Sequence, residues 1–221
     1  MAAMDWIPLI LSAKLALATT VLIPVVAAPA AYMLAFYRFP GKTVLDSVIT
    51  LPMVLPPTVL GFGLLVIMAP HGWLGEAWGA AGGGRLVFSF SGILIASLVF
   101  NLPFAVQPLR ASFQKLDRRL LESASILGLS RTRAFFRVVL PNCLGGLAAA
   151  SILVFAHSLG EFGVILMVGG SVPGQTKVAS IAIYEAVEAM RYDDAITLSL
   201  ALVPVSFLVL MVINSINERR S

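Results

Sequence analysis

Charged side chains are scarce in this sequence. They make up 12% of its 221 residues, alongside two histidines and a single cysteine. Soluble domains carry roughly 25% charged and 45–50% apolar residues. Here 59% is apolar and the mean hydropathy is +0.95, so a water-facing surface cannot be assembled and lipid is the expected solvent. The lone Cys143 excludes an intrachain disulfide and any zinc or redox site built from thiols, and it reads as a small buried hydrophobe. No HExxH or GxSxG spacing occurs, so an intramembrane hydrolase would rest on little more than Glu161 and His157. The phosphate-loop pattern GxxxxGK followed by Ser or Thr is also absent; the run Gly82, Gly83, Gly84 lacks the residues that would complete it and reads as a flexible stretch. The net charge of +4 does not point to nucleic acid, because the basic residues lie between apolar runs, where membrane topology is the usual reason for them. The start of the sequence carries Asp5 and no early basic cluster, so the first apolar segment is expected to stay in the mature protein.

Crossing about 30 Å of hydrocarbon takes roughly 20 helical residues. Apolar runs of that length fall at residues 11–37, 47–69, 88–109, 141–168 and 195–216. The expectation is an all-α integral membrane protein with about five transmembrane helices, forming one domain over residues 1–221. Pro24, Pro29, Pro56, Pro57 and Pro204 lie inside these runs. They predict kinks, since neighbouring helices in a bundle satisfy the freed carbonyls.

Orientation follows from lysine and arginine. With the N-terminus outside and the C-terminus inside, the inner segments hold Arg38, Lys42, Arg110, Lys115, Arg118, Arg119, Arg131, Arg133, Arg137, Arg219 and Arg220, and the outer side keeps Lys14, Arg85, Lys177 and Arg191. The second outer segment, 169–194, contains an amphipathic piece over 178–190, too short and too charged to span, which is expected at the outer boundary.

The inner loop 114–140 is the longest polar interval on its side, yet it is patterned. Leu116, Leu120, Leu121, Ala124 and Leu127 recur at helical steps, with Arg118, Arg119 and Glu122 around them. Gly128 stands where a left-handed C-terminal cap belongs, with Leu129 placed for the accompanying apolar contact. Ser130 is a good N-cap for a second helix over 131–140 that ends against Pro141. A basic helical elbow presenting Leu127, Phe135 and Phe136 has the chemistry of a helix that docks in the groove of a soluble partner. The plain alternative is an elbow that packs under the bundle, with Glu122 paired to Arg118 or Arg119.

Glu122-Ser123-Ala124, then Gly128, nine further residues, and Val138-Val139-Leu140-Pro141 resembles the cytoplasmic "EAA" loop of the permease subunits of binding-protein-dependent ABC importers. The family's pattern is Glu-Ala-Ala, three residues, Gly, nine residues, Ile, any residue, Leu-Pro; this sequence departs from it at Ser123 and Val138. The resemblance implies the type I ABC importer permease fold in a bacterial cytoplasmic (inner) membrane, with the coupling loop between spans 3 and 4. It implies cytoplasmic ATPase subunits that hold the ATP and Mg, so this chain binds no cofactor and does no chemistry itself. It also implies a second permease copy, an extracytoplasmic oxyanion-binding protein, and Glu122, Ser123, Ala124, Leu127, Gly128, Phe135, Leu140 and Pro141 as the ATPase-coupling loop.

Further stretches narrow the resemblance. Phe39-Pro40-Gly41-Lys42, the run Leu51-Pro52-Met53-Val54-Leu55-Pro56-Pro57, Ser158-Leu159-Gly160-Glu161-Phe162-Gly163, and Pro173-Gly174-Gln175-Thr176 followed by Ala182-Ile183-Tyr184-Glu185 are similar to the molybdate permease branch, with sulfate and thiosulfate permeases nearby. The implied cargo is molybdate or tungstate, with a homodimer as the pathway. A carboxylate inside a span costs about 2.5–3.5 kcal/mol on insertion scales. An ionised Glu161 would also repel an anion, so a gating or helix-packing role bonded to backbone near Gly160 and Gly163 is expected, with His157 as its nearest partner. Hydroxyls at Thr58, Ser151 and Ser158 are the candidate pathway contacts. An ion-gradient-driven secondary transporter is the rival class, and five spans do not divide into the two inverted halves it would need.

Overall fold

The computed structural model describes residues 5–218, which are helical and irregular with no strand among them. Arg219 and Arg220, counted above for orientation, lie outside the described residues, as do the side chains of Arg118 and Arg131.

The first helix, α1 (Ile7–Phe36), starts four residues before the apolar run suggested and carries Pro24 and Pro29 without a break. The second expected span is not one kinked helix but two helices, α2 (Lys42–Val54) and α3 (Pro57–Met68), whose axes differ by 113°. Consecutive prolines cause this. A residue before proline is pushed out of the α region, and here both Leu55 and Pro56 precede one; their ψ values are 139° and 134°. Two extended residues in a row turn the chain where a single proline would only bend it.

A short helix, α4 (Trp73–Ala80), follows, and the glycine run after it is held in place, since Trp78 Nε1 donates to the Gly83 carbonyl at 2.7 Å. Ser89 then caps α5 (Phe90–Gln114), accepting from the Gly92 amide at 3.1 Å. This helix runs five residues past its expected end despite Pro103 and Pro108.

The fourth expected span, 141–168, is also divided. Residues Thr132–Asn142 turn by 74° at Cys143 into α9 (Leu144–Leu159), which stops at Gly160, and α10 (Gly163–Gly169) resumes beyond Phe162. The amphipathic piece expected over 178–190 is a helix, α11 (Ala179–Glu188), and it is docked on the bundle: the Ala179 amide donates to Ser12 Oγ of α1 at 2.8 Å, and Ile181, Ala182 and Ala186 are buried. The last helix is α12 (Tyr192–Glu218). Among the described residues α1 and α5 are each long and apolar enough to cross a membrane, and each of the two bent pairs has the length and composition of a broken span or a re-entrant loop.

Helices α1, α5 and α9 pack on one another around Ala27, Ala31, Ala105 and Ala150, all essentially without exposed surface. Small residues let backbones approach where lipid offers no hydrophobic drive. The outer faces remain apolar, with Val21, Val25, Val44 and Val54 exposed, a surface suited to hydrocarbon and unsuited to water.

Candidate functional site

Two regions concentrate the functional candidates: the elbow between α5 and α9, and the place where the two interrupted spans meet.

In the elbow, α6 (Arg118–Ile126) begins where Asp117 Oδ1 accepts from the Arg119 amide at 3.0 Å. It ends at Gly128, whose φ of +72° is the left-handed turn read from the sequence, and the Leu129 amide reaches back to the Ala124 carbonyl at 3.0 Å. Ser130 Oγ accepts from the Arg133 amide at 3.4 Å, so the second N-cap is also present. The following helix does not stop at Pro141. It passes from α7 (Arg131–Ala134) through a π-turn (Phe135–Val139) to α8 (Leu140–Asn142). Pro141 has no N–H for the Arg137 carbonyl and its ring would crowd that group, and the wider turn accommodates both effects.

Burial sorts the elbow residues. Ala124 is buried and faces the protein, while Glu122 and Ser123 are exposed. Leu127 is 79% exposed as expected, and Ile126, overlooked in the sequence, is 86% exposed. Phe136 is exposed, but Phe135 is not: its ring lies 5.4 Å from Tyr32 and 6.3 Å from Phe113. Phe135 therefore anchors the elbow to α1 and α5 instead of facing a partner. Leu140 is half-buried and Pro141 exposed. Among the described residues Glu122 forms no ion pair, and its suggested partner Arg119 is exposed.

The second region is built by the breaks. Gly163, the first residue of α10, lies so close to Pro57, the first of α3, that a Cβ on it would sit 2.9 Å from the proline Cβ. Only glycine permits this approach. A hollow of about 580 Å³ opens beside the contact, lined by Thr58, Phe100, His157, Gly160, Glu161 and Phe162 among others. Thr58, Gly160, Glu161 and Gly163 are thus brought together; Ser158 is buried next to them in sequence, and Ser151 sits two turns back along α9, half-buried, outside the hollow.

Glu161 is 4% exposed, and its side chain does not bond to the backbone near Gly160 and Gly163 as expected. Its Oε2 accepts from Ser97 Oγ at 2.8 Å and from Asn101 Nδ2 at 3.2 Å, both on α5. His157 is no direct partner either: its Nδ1 meets Asn101 Oδ1 at 3.0 Å, and its ring stacks on Phe104 at 4.0 Å. The Glu161 carbonyl accepts from Ser180 Oγ at 2.7 Å. Ser97 and Asn101 were missed in the sequence, although two polar residues four apart inside an apolar span are a usable signal.

At the start of α11 Lys177 and Glu185 form an ion pair. Burial works to raise the Glu185 carboxyl, but the hydrogen bond and charge of Lys177 outweigh it and hold the group below the usual carboxylate range. The hydrogen bond and charge of Glu188 raise the Tyr184 hydroxyl.

The family described as the binding-protein-dependent transport system inner membrane component matches residues 21–220. The chain belongs to that family. A molybdenum transport system permease protein ModB of Azotobacter vinelandii is 46% identical over 93% of this chain and 91% of its own. The ModB protein of Escherichia coli K12 is 36% identical, covering 81% and 80%. The sulfate transport system permease protein CysT of the same bacterium is 33% identical, covering 86% and 68%. A crystal structure of a bacterial alginate ABC transporter in complex with a pentasaccharide-bound periplasmic protein shares the fold at TM-score 0.74 and 19% identity, covering 99% of this chain and 80% of that one. The chain is therefore a permease subunit and a multi-pass membrane protein. In a permease, interrupted helices at membrane depth are tolerated where they are buried in protein or line a cavity, and the Gly163–Pro57 junction lines one.

Proposed function

We propose that this chain is the membrane-spanning subunit of an ATP-driven importer of molybdate, with tungstate as a close substitute. The cargo reading is supported by the ModB relatives, at 46% and 36% identity against 33% for CysT. Sulfate or thiosulfate is the second reading, favoured only by that last similarity. An ion-gradient-driven transporter loses its footing with family membership.

The elbow carries the mechanism. Ile126 and Leu127 stand exposed on a left-handed glycine turn, and the segment behind them runs through the π-turn into α9. A cytoplasmic ATPase subunit receives these two side chains, with Glu122 and Ser123 at the rim of the contact. Movement of the elbow then pulls on α1 and α5 through Phe135 and on α9 through the bend at Cys143. Helix α9, roughly 24 Å long at 1.5 Å per residue, ends at the Gly160–Phe162 interruption beside the hollow. Nucleotide-driven motion at the elbow thereby reaches the pathway wall at Thr58, Gly160, Glu161 and Gly163, with Ser158 and Ser151 further along the same helix.

In this reading the whole chain is one domain with about five spans, N-terminus outside and C-terminus inside, in a bacterial inner membrane. Two copies enclose the pathway, an extracytoplasmic binding protein delivers the oxyanion, and ATP and Mg stay on the ATPase. The alginate transporter similar in fold was crystallised with a periplasmic protein bound. The test is uptake of labelled molybdate into vesicles holding the permease, its ATPase and the binding protein. Uptake that requires ATP and is competed by tungstate more than by sulfate is expected. Best competition by sulfate replaces the cargo, and uptake driven by an ion gradient without the ATPase overturns the importer reading.

A further inference from the structure

Among the described residues, buried Thr19, Ser97, Asn101 and Glu161 form a chain of hydrogen bonds across the bundle, and that chain has a direction. Thr19 of α1, fully buried, donates from Oγ1 to Ser97 Oγ at 3.2 Å. Ser97 in turn donates to Glu161 Oε2 at 2.8 Å. Asn101 Nδ2 donates to the Ser97 carbonyl at 2.9 Å and shares its other hydrogen between Ser97 Oγ and Glu161 Oε2, each at 3.2 Å. With the amide nitrogen so engaged, Asn101 Oδ1 faces His157 Nδ1 at 3.0 Å, a contact that is a hydrogen bond in the tautomer with the proton on Nδ1. The Ser97 hydroxyl and one Asn101 amide hydrogen thus meet at a single oxygen of Glu161, with Thr19 behind Ser97 and His157 behind Asn101. The four contributing pieces are α1, α5, α9 and the interruption that follows α9.

This chain of bonds sits where the bundle is least continuous. Glu161 lies between Gly160 and Phe162, with no helical hydrogen bonding of its own to hold it, and the adjoining α10 touches α3 at its own proline break. Seven residues of α10 are too few to fix their position by helix formation alone. The side-chain hydrogen bonds that tie the interruption laterally to the continuous helix α5 come from Ser97 and Asn101, and of these two Asn101 also meets the end of α9, through His157. Beside it lies the hollow of about 580 Å³, room into which a released segment can move. In a low-dielectric interior, a hydrogen-bond network of this kind has few alternative partners and favours one discrete arrangement.

We propose that Asn101 is the positioning residue of the pathway: through Glu161 and His157 it clasps the interrupted fourth span to α5 and keeps the junction with α3 sealed until the elbow moves. The clasp touches no cargo in this role. It sets the conformation of the wall past which cargo moves, and so rests on the importer reading only for what drives its release. Losing it shifts the sealed-to-open equilibrium toward open by roughly 10- to 100-fold, the effect of two typical buried hydrogen bonds.

The experiment uses the assembled importer in vesicles loaded with nitrate and with labelled molybdate outside. Wild type is compared with Asn101→Leu, which keeps the branching and heavy-atom count and loses every bond, Ser97→Ala, which deletes one hydroxyl, and Thr19→Ser, which keeps the hydroxyl and serves as the conservative control. Nitrate efflux without ATP should rise at least tenfold in Asn101→Leu and measurably in Ser97→Ala, with ATP hydrolysis no longer tied to uptake, while Thr19→Ser stays sealed. A merely structural role gives loss of uptake without a leak, and that result in both variants overturns the proposal, as does either variant taking up molybdate at the wild-type rate in vesicles that stay sealed to nitrate. Should Asn101→Leu fail to assemble, Ser97→Ala alone decides in the same way. Nitrate leak does not depend on the cargo, so a wild type that ignores molybdate sinks the cargo reading and leaves the clasp to be judged by efflux.

Discussion

Replacing Ile126 by serine tests how much of the ATPase contact the elbow supplies. The side chain is 86% exposed, and Leu127 beside it is 79% exposed. Full burial of such a side chain contributes about 1.5–3 kcal/mol, so docking Ile126 from its present exposure contributes about 1.3–2.6 kcal/mol. Since about 1.4 kcal/mol is a factor of ten, Ile126→Ser should weaken ATPase binding by roughly 10- to 70-fold. Because the side chain packs so little within the permease, the same substitution should shift the permease's own thermal stability by no more than about 0.5 kcal/mol. The assay is titration of the ATPase subunit onto permease in detergent or nanodiscs, alongside a melting curve of the permease alone. Unchanged affinity at unchanged stability refutes the docking argument. A large loss of stability refutes the burial argument beneath it.

Three further outcomes follow from single contacts. Gly128→Ala places a Cβ at φ +72° in open space, so the change costs only backbone strain of about 1–2 kcal/mol; ATP-coupled uptake should fall while an Asn at the same position, which tolerates that conformation, retains most of it. Arg110→Ala leaves Asp46 without the 2.7 Å partner that ties α2 to α5, at partial burial, and should lower stability by about 1–2 kcal/mol in a denaturant or thermal titration; Arg110→Ala with Asp46→Asn should recover part of it. The Glu185 carboxyl is held below its usual range by Lys177. A depressed folded-state value contributes stability above the unfolded value of about 4.3. That stability is lost as the pH falls through the lower folded value, and wild type should lose more of it than Lys177→Met when melting is followed from pH 6 downward.

The elbow was legible because its information is local. Gly128, Ser130 and the spacing to Leu140-Pro141 act within one or two helical turns, and the φ of Gly128 and the cap at Ser130 appear where periodicity and cap chemistry put them. The exposed face was read less well. Phe135 looks like a docking side chain in one dimension, and only the approach of Tyr32 and Phe113 from α1 and α5 removes it from the surface. The same holds for Glu161: sequence neighbours suggested His157 and the flanking glycines, whereas the partners came from 64 and 60 residues away.

What the sequence by itself determined is the solvent, the helical class, the position of most helices and the glycine elbow, because hydropathy, helix period and capping are properties of neighbouring residues. The severity of the breaks was decided by the tertiary structure. A proline pair or a glycine permits a turn, but the 113° between α2 and α3 and the stop at Gly160 are kept by contacts with other helices: Gly163 against Pro57, Ser180 on the Glu161 carbonyl, Ser97 and Asn101 on its carboxyl. In lipid an interrupted helix leaves backbone groups that no solvent will satisfy, so where a span is interrupted depends on which neighbours can supply hydrogen bonds, and that is settled only when the bundle assembles.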